Sequence, residues 1–225
     1  ESYYQDCRTP RLATMLGDYY QRSFRDSLAV DLYSQAIEMD EAYAPAYYGR
    51  AHSYQSLRMY DNYFDDIRIF LRDESIAPLA KADYLNHMMD VPQFIQAFQA
   101  DVDSMMLDAR LSAPEDTTVN AAVAMYYYRT DRQPLGIELM RQMTERWPES
   151  YPQGFQYLLM LYYYGSWDGL INAATVQLQR FPKGHDILIL RASAFRPLKN
   201  YESAIADYEQ MLADERTKTH HFHIL

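Results

Sequence analysis

Apolar positions recur along the chain with a period of about 34 residues, a spacing typical of helical repeats. Gly17 and Tyr20 lie on one face of a predicted helix, at the three-residue spacing that a helix brings to one side. Ala51 and Tyr54 take the same places one period later. Small residues let two helices approach closely, and aromatic residues fill the space between them. The pattern therefore predicts an all-α chain of paired helices.

The same pattern returns in the second half of the chain, after a shift of five residues in register. Ala124 is followed at intervals of one period by Leu158 and Ala192, and Pro148 by Pro182. Because a helical repeat buries its apolar face only against its neighbours, we expect one solenoid domain over residues 1–225. Its predicted repeats span 10–43, 44–77, 78–116, 117–150, 151–184 and 185–218, with the start of a seventh at 219–225.

The third repeat, 78–116, departs from the pattern. Pro78 and Pro92 interrupt what would otherwise be helix, and proline is tolerated mainly in the first helical turn. We therefore expect each proline to lie near a helix start. The second helix of this repeat would then run from about Gln93 to Leu111, which is longer than the other predicted helices.

The first and last repeats resemble the tetratricopeptide repeat. The residues that carry the resemblance are Leu16, Gly17, Tyr20, Ala29, Tyr33 and Ala36 in one, and Ala192, Phe195, Tyr201, Ala204, Ile205 and Tyr208 in the other. The resemblance implies a right-handed superhelix of antiparallel helix pairs whose first helices line the concave surface. The Lys, Asn and Arg set that clamps a chaperone tail in one subtype is missing from the matching positions, including Thr14, Asp18 and Ser56.

The two ends of the chain prompt further expectations. Phe222 and Leu225 fall where a seventh repeat would place apolar residues of its first helix. We therefore expect the sequence to be the amino-terminal part of a longer array, with an uncapped carboxyl-terminal end that could self-associate. The start at Glu1 without an initiator Met favours the bacterial periplasm or cell envelope, although a cytoplasmic protein could look the same, and the single cysteine does not distinguish the two compartments.

Composition and charge restrict the function further. The chain has 22 Tyr but only 7 Gly, which disfavours a turn-rich β fold. Its net charge of −10 opposes binding to a nucleic-acid backbone. No apolar run reaches the roughly 18 residues that span a bilayer. Partners are therefore expected among proteins or peptides, with no membrane span in this chain.

Few residues suggest metal chemistry. His220, His221 and His223 form a histidine cluster, but this spacing does not bring the rings together on one side of a helix. Cys7 has no histidine partner nearby in sequence. We expect no metal, no cofactor and no enzymatic activity.

Two further groups of residues are interpreted as structural. Asp61, Asp65 and Asp66 lie within a predicted helix and are expected to form a solvated face. Trp167, with the Asp-Gly pair after it, is expected in a turn between helices.

The tyrosines divide into core and surface candidates. The repeat pattern places Tyr20, Tyr54 and Tyr127 toward the interior of helix pairs. The resemblance implies that other residues of the first helices face the concave surface, where Tyr and Arg favour binding. The candidates are Arg22, Tyr48, His52, Gln55, Tyr128, Arg129, Phe155, Tyr162, Tyr163 and Arg196.

The sequence thus predicts a non-enzymatic scaffold that binds a partner segment on its concave surface. One alternative is a regulatory or sensor segment of a larger protein with an output domain beyond residue 225. Another is a helical-repeat binder of a glycan or small molecule, which would require a closed aromatic pocket. Packing of the same surface against a further helix is also open, because a superhelix serves many tasks.

Overall fold

A computed structural model describes residues 8–213 of the chain, and these form thirteen α-helices without a β-strand. The all-α prediction is confirmed. In chain order the helices are α1 (Pro10–Arg22), α2 (Asp26–Met39), α3 (Ala44–Ser56), α4 (Tyr60–Arg72), α5 (Pro78–Met88), α6 (Pro92–Ala97), α7 (Gln99–Ser112), α8 (Thr117–Arg129), α9 (Gln133–Arg146), α10 (Tyr151–Tyr164), α11 (Trp167–Arg180), α12 (His185–Phe195) and α13 (Tyr201–Ala213).

Proline marks many of the helix starts. It occupies the first or second position of α1, α3, α5, α6, α9 and α10, where a missing backbone donor has no helical acceptor to lose. The expected starts at Pro78 and Pro92 are confirmed. At α1 the Thr9 hydroxyl also accepts a hydrogen bond from the backbone N–H of Leu12 at 3.2 Å.

The turns inside the helix pairs repeat with the same period as the apolar positions. A residue with positive φ occurs at Phe24 and Arg58, and again at Asp131, Gly165 and Lys199. Within each group, successive members are one repeat period apart. The Gly165 turn ends before Trp167, which begins α11. The prediction that Trp167 lies in a turn is therefore wrong.

The helices pack in two compact units, Glu1–Ala122 and Val123–Leu225. In the first unit α1 packs on α2, α2 on α3, and α3 on α4, while α1 also contacts α3. In the second unit consecutive helices from α9 to α13 pack on one another, and α10 also contacts α12. The first helices of neighbouring pairs therefore share one side within each unit. A single solenoid over residues 1–225 stays a prediction.

The third predicted repeat contains three helices rather than two. The long second helix expected from Gln93 to Leu111 is wrong, because the chain leaves helical geometry at Phe98, with φ −126° and ψ 37°. The Phe98 ring packs against Tyr60, Phe64 and Phe94 at centroid distances of 4.6 to 5.4 Å. This aromatic cluster accounts for the break, since it draws the Phe98 side chain against α4.

Tyrosines form part of the core, although not all at the predicted positions. Tyr33, Tyr63 and Tyr126 are fully buried. Tyr20 and Tyr54 are half-buried. Tyr127 is also only half-buried, so the choice of Tyr127 rather than Tyr126 as the interior residue of that helix is wrong.

Two ion pairs with buried carboxylates join first and second helices in the same geometry. Arg50 of α3 donates two hydrogen bonds to the Asp66 carboxylate, at 2.7 and 2.8 Å, and a third to the Ser34 hydroxyl. Arg191 of α12 does the same with Asp207, at 3.0 and 2.6 Å, and with Thr175 on the preceding second helix. The prediction that Asp66 lies on a solvated face is therefore wrong, whereas its neighbours Asp61 and Asp65 are exposed.

Candidate functional site

Two adjoining cavities lie along helices of the amino-terminal unit, and together they form a groove. The larger, about 620 Å³, lies along α3, α5 and α6, and the smaller, about 360 Å³, lies along α1 and α3. Tyr48 and His52 line both. The larger cavity is also lined by Gln55, Tyr63, Ala80, Asp83, Tyr84, His87, Met88, Val91 and Phe94. The smaller is also lined by Thr14, Asp18, Gln21, Arg22, Pro45, Gly49 and Phe70.

Tyr48 and His52 form the centre of the groove because they lie one turn apart on α3. Their rings meet edge to face at a centroid distance of 4.5 Å. Tyr48 also packs on Phe70 at 4.7 Å and on Tyr84 at 5.9 Å. These contacts leave both side chains half-buried. The central rings of the groove are therefore held in place before any ligand arrives.

Close helix packing beneath the groove depends on two glycines. The Tyr33 ring lies against Gly17 of α1 and Gly49 of α3, where an added Cβ would come within 2.8 and 2.4 Å of the ring. The Tyr33 hydroxyl donates a hydrogen bond to the Asp18 carboxylate at 2.7 Å. A side chain at either glycine would push the helices apart, so these residues set the width of the smaller cavity.

A second contact ties α1 to α3. The Gln21 amide donates hydrogen bonds to the Gly49 carbonyl at 3.3 Å and to the Ser53 hydroxyl at 3.4 Å. Thr14, which lines the smaller cavity from α1, is buried, and its hydroxyl has no hydrogen-bond partner among the described residues. A buried hydroxyl without a partner is costly, so a ligand that bonds to it would gain affinity.

Burial controls the charge state of the groove. It lowers the pKa of His52, an effect that a hydrogen bond with Gln55 partly offsets, and the neutral imidazole is therefore favoured. Burial also raises the pKa of Tyr48, and it raises the pKa of Tyr63 to about 12. The Tyr63 hydroxyl is hydrogen-bonded to that of Tyr84. The rings at the centre of the groove thus carry no charge at neutral pH.

Four of the predicted surface residues come together in this groove. Tyr48, His52 and Gln55 line the larger cavity, and Tyr48, His52 and Arg22 line the smaller one.

The six other predicted residues lie in the second unit, where their surroundings differ. Phe155 and Tyr162 are half-buried against the core cluster around Leu158. Tyr162 also meets Trp167 edge to face at 5.8 Å, which is a packing contact. Tyr163 is 74% exposed. Arg129 and Arg196 are exposed and Tyr128 is half-buried.

The residues that α5 and α6 contribute to the groove are not among the predicted surface residues. Asp83, Tyr84 and His87 of α5 line the larger cavity together with Phe94 of α6. They belong to the irregular repeat, where the repeat register could not be followed. A signal was present, because residues three and four apart after Pro78 lie on one helix face.

A family model described as "Tetratricopeptide repeat" matches residues 185–213. These residues are α12 and α13 together with the turn at Lys199. The chain contains a tetratricopeptide repeat.

Features of the matched tetratricopeptide repeat recur in the first unit. The repeat holds the Arg191–Asp207 pair and the positive φ at Lys199. The α3–α4 pair holds Arg50–Asp66 and the positive φ at Arg58. Both features are displaced by the same distance along the chain, which is four repeat periods plus the five-residue shift that the sequence indicates. The resemblance to the tetratricopeptide repeat is confirmed, and folds of this type serve as protein-interaction scaffolds.

Several solved structures are similar to the chain at low sequence identity. YrrB, described as "a TPR protein with an unusual peptide-binding site", is 15% identical with a TM-score of 0.44, over 92% of this chain and 89% of that one. MamA AMB-1 is 13% identical with a TM-score of 0.46, and the match covers 93% of this chain and 96% of that one. PilW, described as a "widely conserved type IV pilus biogenesis factor", is 16% identical with a TM-score of 0.46. The match covers 93% of this chain and 97% of that one. No curated protein matches the chain in sequence.

Two other kinds of feature, a metal site and a membrane-spanning helix, can be checked in the described part of the chain. Residues 8–213 hold no group of three His, Cys, Asp or Glu side chains that could bind a metal ion. No helix within them combines the length and apolar character needed to cross a membrane. The histidine cluster His220, His221 and His223 lies outside the described residues, as does Cys7.

Proposed function

We propose that the protein is a non-enzymatic interaction scaffold that binds a segment of another protein in the groove of its amino-terminal unit. The observation that carries the proposal is the pair of adjoining cavities that share Tyr48 and His52. Together they offer a continuous row of aromatic and polar side chains. Aromatic anchors in partly enclosed pockets are where binding energy concentrates at protein interfaces.

The rigidity of the groove supports this function. Tyr48 is fixed between Phe70 and Tyr84, and α1 is tied to α3 through Gln21 and through Tyr33. A partner would therefore meet side chains that are already ordered. Preorganisation lowers the entropic cost of binding, because few rotamers are lost when the complex forms.

The exposed residues of the second unit are proposed as a further contact surface. Tyr163, Arg129 and Arg196 are exposed, and Tyr128 lies near Tyr163, which together with burial raises the pKa of the Tyr128 hydroxyl. Phe155 and Tyr162 would take a smaller part, since both also pack in the core. Replacing Tyr162 should lower stability as well as affinity, whereas replacing Tyr163 should change affinity alone.

A variant that fills the groove tests the proposal. Ala80 is exposed on the second position after Pro78 and lines the larger cavity. Ala80→Trp should block the cavity whatever the charge of the ligand, and should leave the melting temperature within about 2 °C, because the site is on the surface. We expect partners captured from cell extract by the wild-type chain to be lost with this variant.

The matched control is Ala100→Trp, which places the same ring on an exposed position of α7 away from the groove. Capture by this variant should equal that of the wild type. Equal capture by all three proteins would show that binding does not use the groove.

A further inference from the structure

The larger cavity of the groove has walls suited to a positively charged side chain. Tyr48, Tyr63, Tyr84 and Phe94 contribute aromatic rings. Asp83 is exposed and lines the same cavity. Aromatic faces carry negative quadrupole charge and attract cations, and a carboxylate adds direct attraction.

The carboxylate of Asp83 supplies acidic charge at this cavity. Asp83 is the one Asp, Glu, Lys or Arg among the described residues that line it, and the neighbouring His52 favours its neutral form because burial lowers its pKa. The surrounding unit is also acidic, since residues 8–122 contain eighteen Asp and Glu against ten Lys and Arg. In contrast, residues 123–213 contain nine of each. A basic ligand would therefore be drawn to the first unit and an acidic one repelled.

The cavity is large enough to admit a long side chain of a partner segment. Its volume of about 620 Å³ lies in the range of small-ligand sites, and Met88 and Val91 add apolar wall. The methylene stem of an Arg or Lys can pack on such a wall while its charged head stays near solvent. Since Asp83 is exposed, its carboxylate can meet that head.

From these observations we propose that the larger cavity takes an Arg or Lys side chain of a partner segment, held between the aromatic rings and the Asp83 carboxylate. This rests on the proposed function and specifies its ligand. The smaller cavity is balanced in charge, because Asp18 and Arg22 both line it. It would hold neighbouring residues of the segment without selecting their charge.

The test selects ligands without assuming their sequence. A random dodecapeptide library displayed on phage is panned against the full chain and, in parallel, against Ala80→Trp. Peptides retained by the wild type and lost with the variant should be enriched in an Arg or Lys beside apolar residues. Groove peptides that lack basic residues would overturn the inference and leave the proposed function standing. If no peptide depends on the open groove, both fail.

Synthetic peptides from the selection then locate the charge. Replacing the basic residue by citrulline or acetyl-lysine, which are neutral and similar in shape, should weaken binding about tenfold by fluorescence anisotropy. Asp83→Asn should weaken the parent peptide about two- to fivefold and the neutral analogue hardly at all.

Asp101→Asn, on an exposed position of α7, is the matched control and should change neither affinity. If the parent peptide binds Asp83→Asn as tightly as it binds the wild type, the cation lies elsewhere and the inference is wrong.

Discussion

At the scale of single residues, the turns show how local backbone geometry follows the repeat. Positive φ recurs in the helix pairs at Phe24, Arg58, Asp131, Gly165 and Lys199, yet only one of these residues is glycine. Side chains with a Cβ are strained in this region by about 1 kcal/mol. Four turns therefore carry strain that Gly165 avoids.

This difference predicts opposite effects for two substitutions. Gly165→Ala should lower the free energy of unfolding by about 1 kcal/mol. The cause is conformational, because an added Cβ would have the Trp167 ring as its nearest neighbour at an ordinary 3.8 Å. Lys199→Gly should raise the free energy of unfolding by about 0.5 kcal/mol, because the relief of backbone strain exceeds the gain in unfolded-state entropy. Urea unfolding of both variants measures the effects. An unchanged Gly165→Ala protein would contradict this account.

Some individual residues could not be assigned from sequence for a physical reason. Tyr126 and Tyr127 differ by about 100° around the helix, and a small rotation of α8 decides which ring is buried. Tyr126 is buried, and Arg132 lies over both rings at 5.0 Å. The repeat period indicates the face of a helix but does not give its rotation to that precision.

At the scale of helices, the period predicted most elements because the positive-φ turns repeat with it in two groups, one on each side of the irregular repeat. It failed at 78–116, where aromatic packing around Phe98 divides the expected helix in two. Such long-range packing leaves no mark in local spacing. The groove residues Asp83 and His87 of α5 were missed because the repeat register could not be followed into this irregular repeat.

The Arg50–Asp66 and Arg191–Asp207 ion pairs each join two helices. They lie at positions that are apolar in other repeats. Arg50 and Asp66 correspond, one repeat period earlier, to Leu16 and Leu32, which pack in one cluster. They correspond in the second unit to Val123 and Leu139, both buried. The fold therefore accepts either an ion pair or an apolar pair here.

This equivalence predicts strong coupling between the two residues. Asp66→Leu alone should cost about 3 kcal/mol, because it leaves the Arg50 guanidinium without its partner. The double variant Arg50→Leu/Asp66→Leu should recover most of that loss, as the Leu16–Leu32 contact does in the preceding helix pair. A double-mutant cycle by chemical denaturation measures the coupling. If the double variant were as unstable as the single one, the pair would have a role beyond packing.

At the scale of the whole molecule, the two units differ in charge and in the surfaces that they leave open. The first carries the groove and the excess of acidic residues. In the second, the last described helix exposes an apolar stripe on one face. The stripe consists of Tyr201, Ile205, Tyr208 and Leu212.

The spacing of this stripe indicates a helix-packing face. Its residues are four, three and four apart, as in the seam between paired helices. The residues that correspond to Tyr208 in earlier second helices, Tyr33, Ile67, Met140 and Ala174, are all buried. An exposed stripe at a position that is buried elsewhere favours association with another helix.

Self-association through this stripe is therefore the prediction for the whole molecule. At protein concentrations from about 1 to 100 μM, light scattering after size-exclusion chromatography should show a mass rising above the 26.5 kDa of one chain. Ile205→Glu should keep the mass at 26.5 kDa throughout, because a charge cannot be buried in the seam without a partner. The matched control is Ile69→Glu, on an exposed position of α4, which should associate like the wild type. A wild-type chain of constant monomer mass would contradict the prediction, and association that survives Ile205→Glu would assign it to another surface.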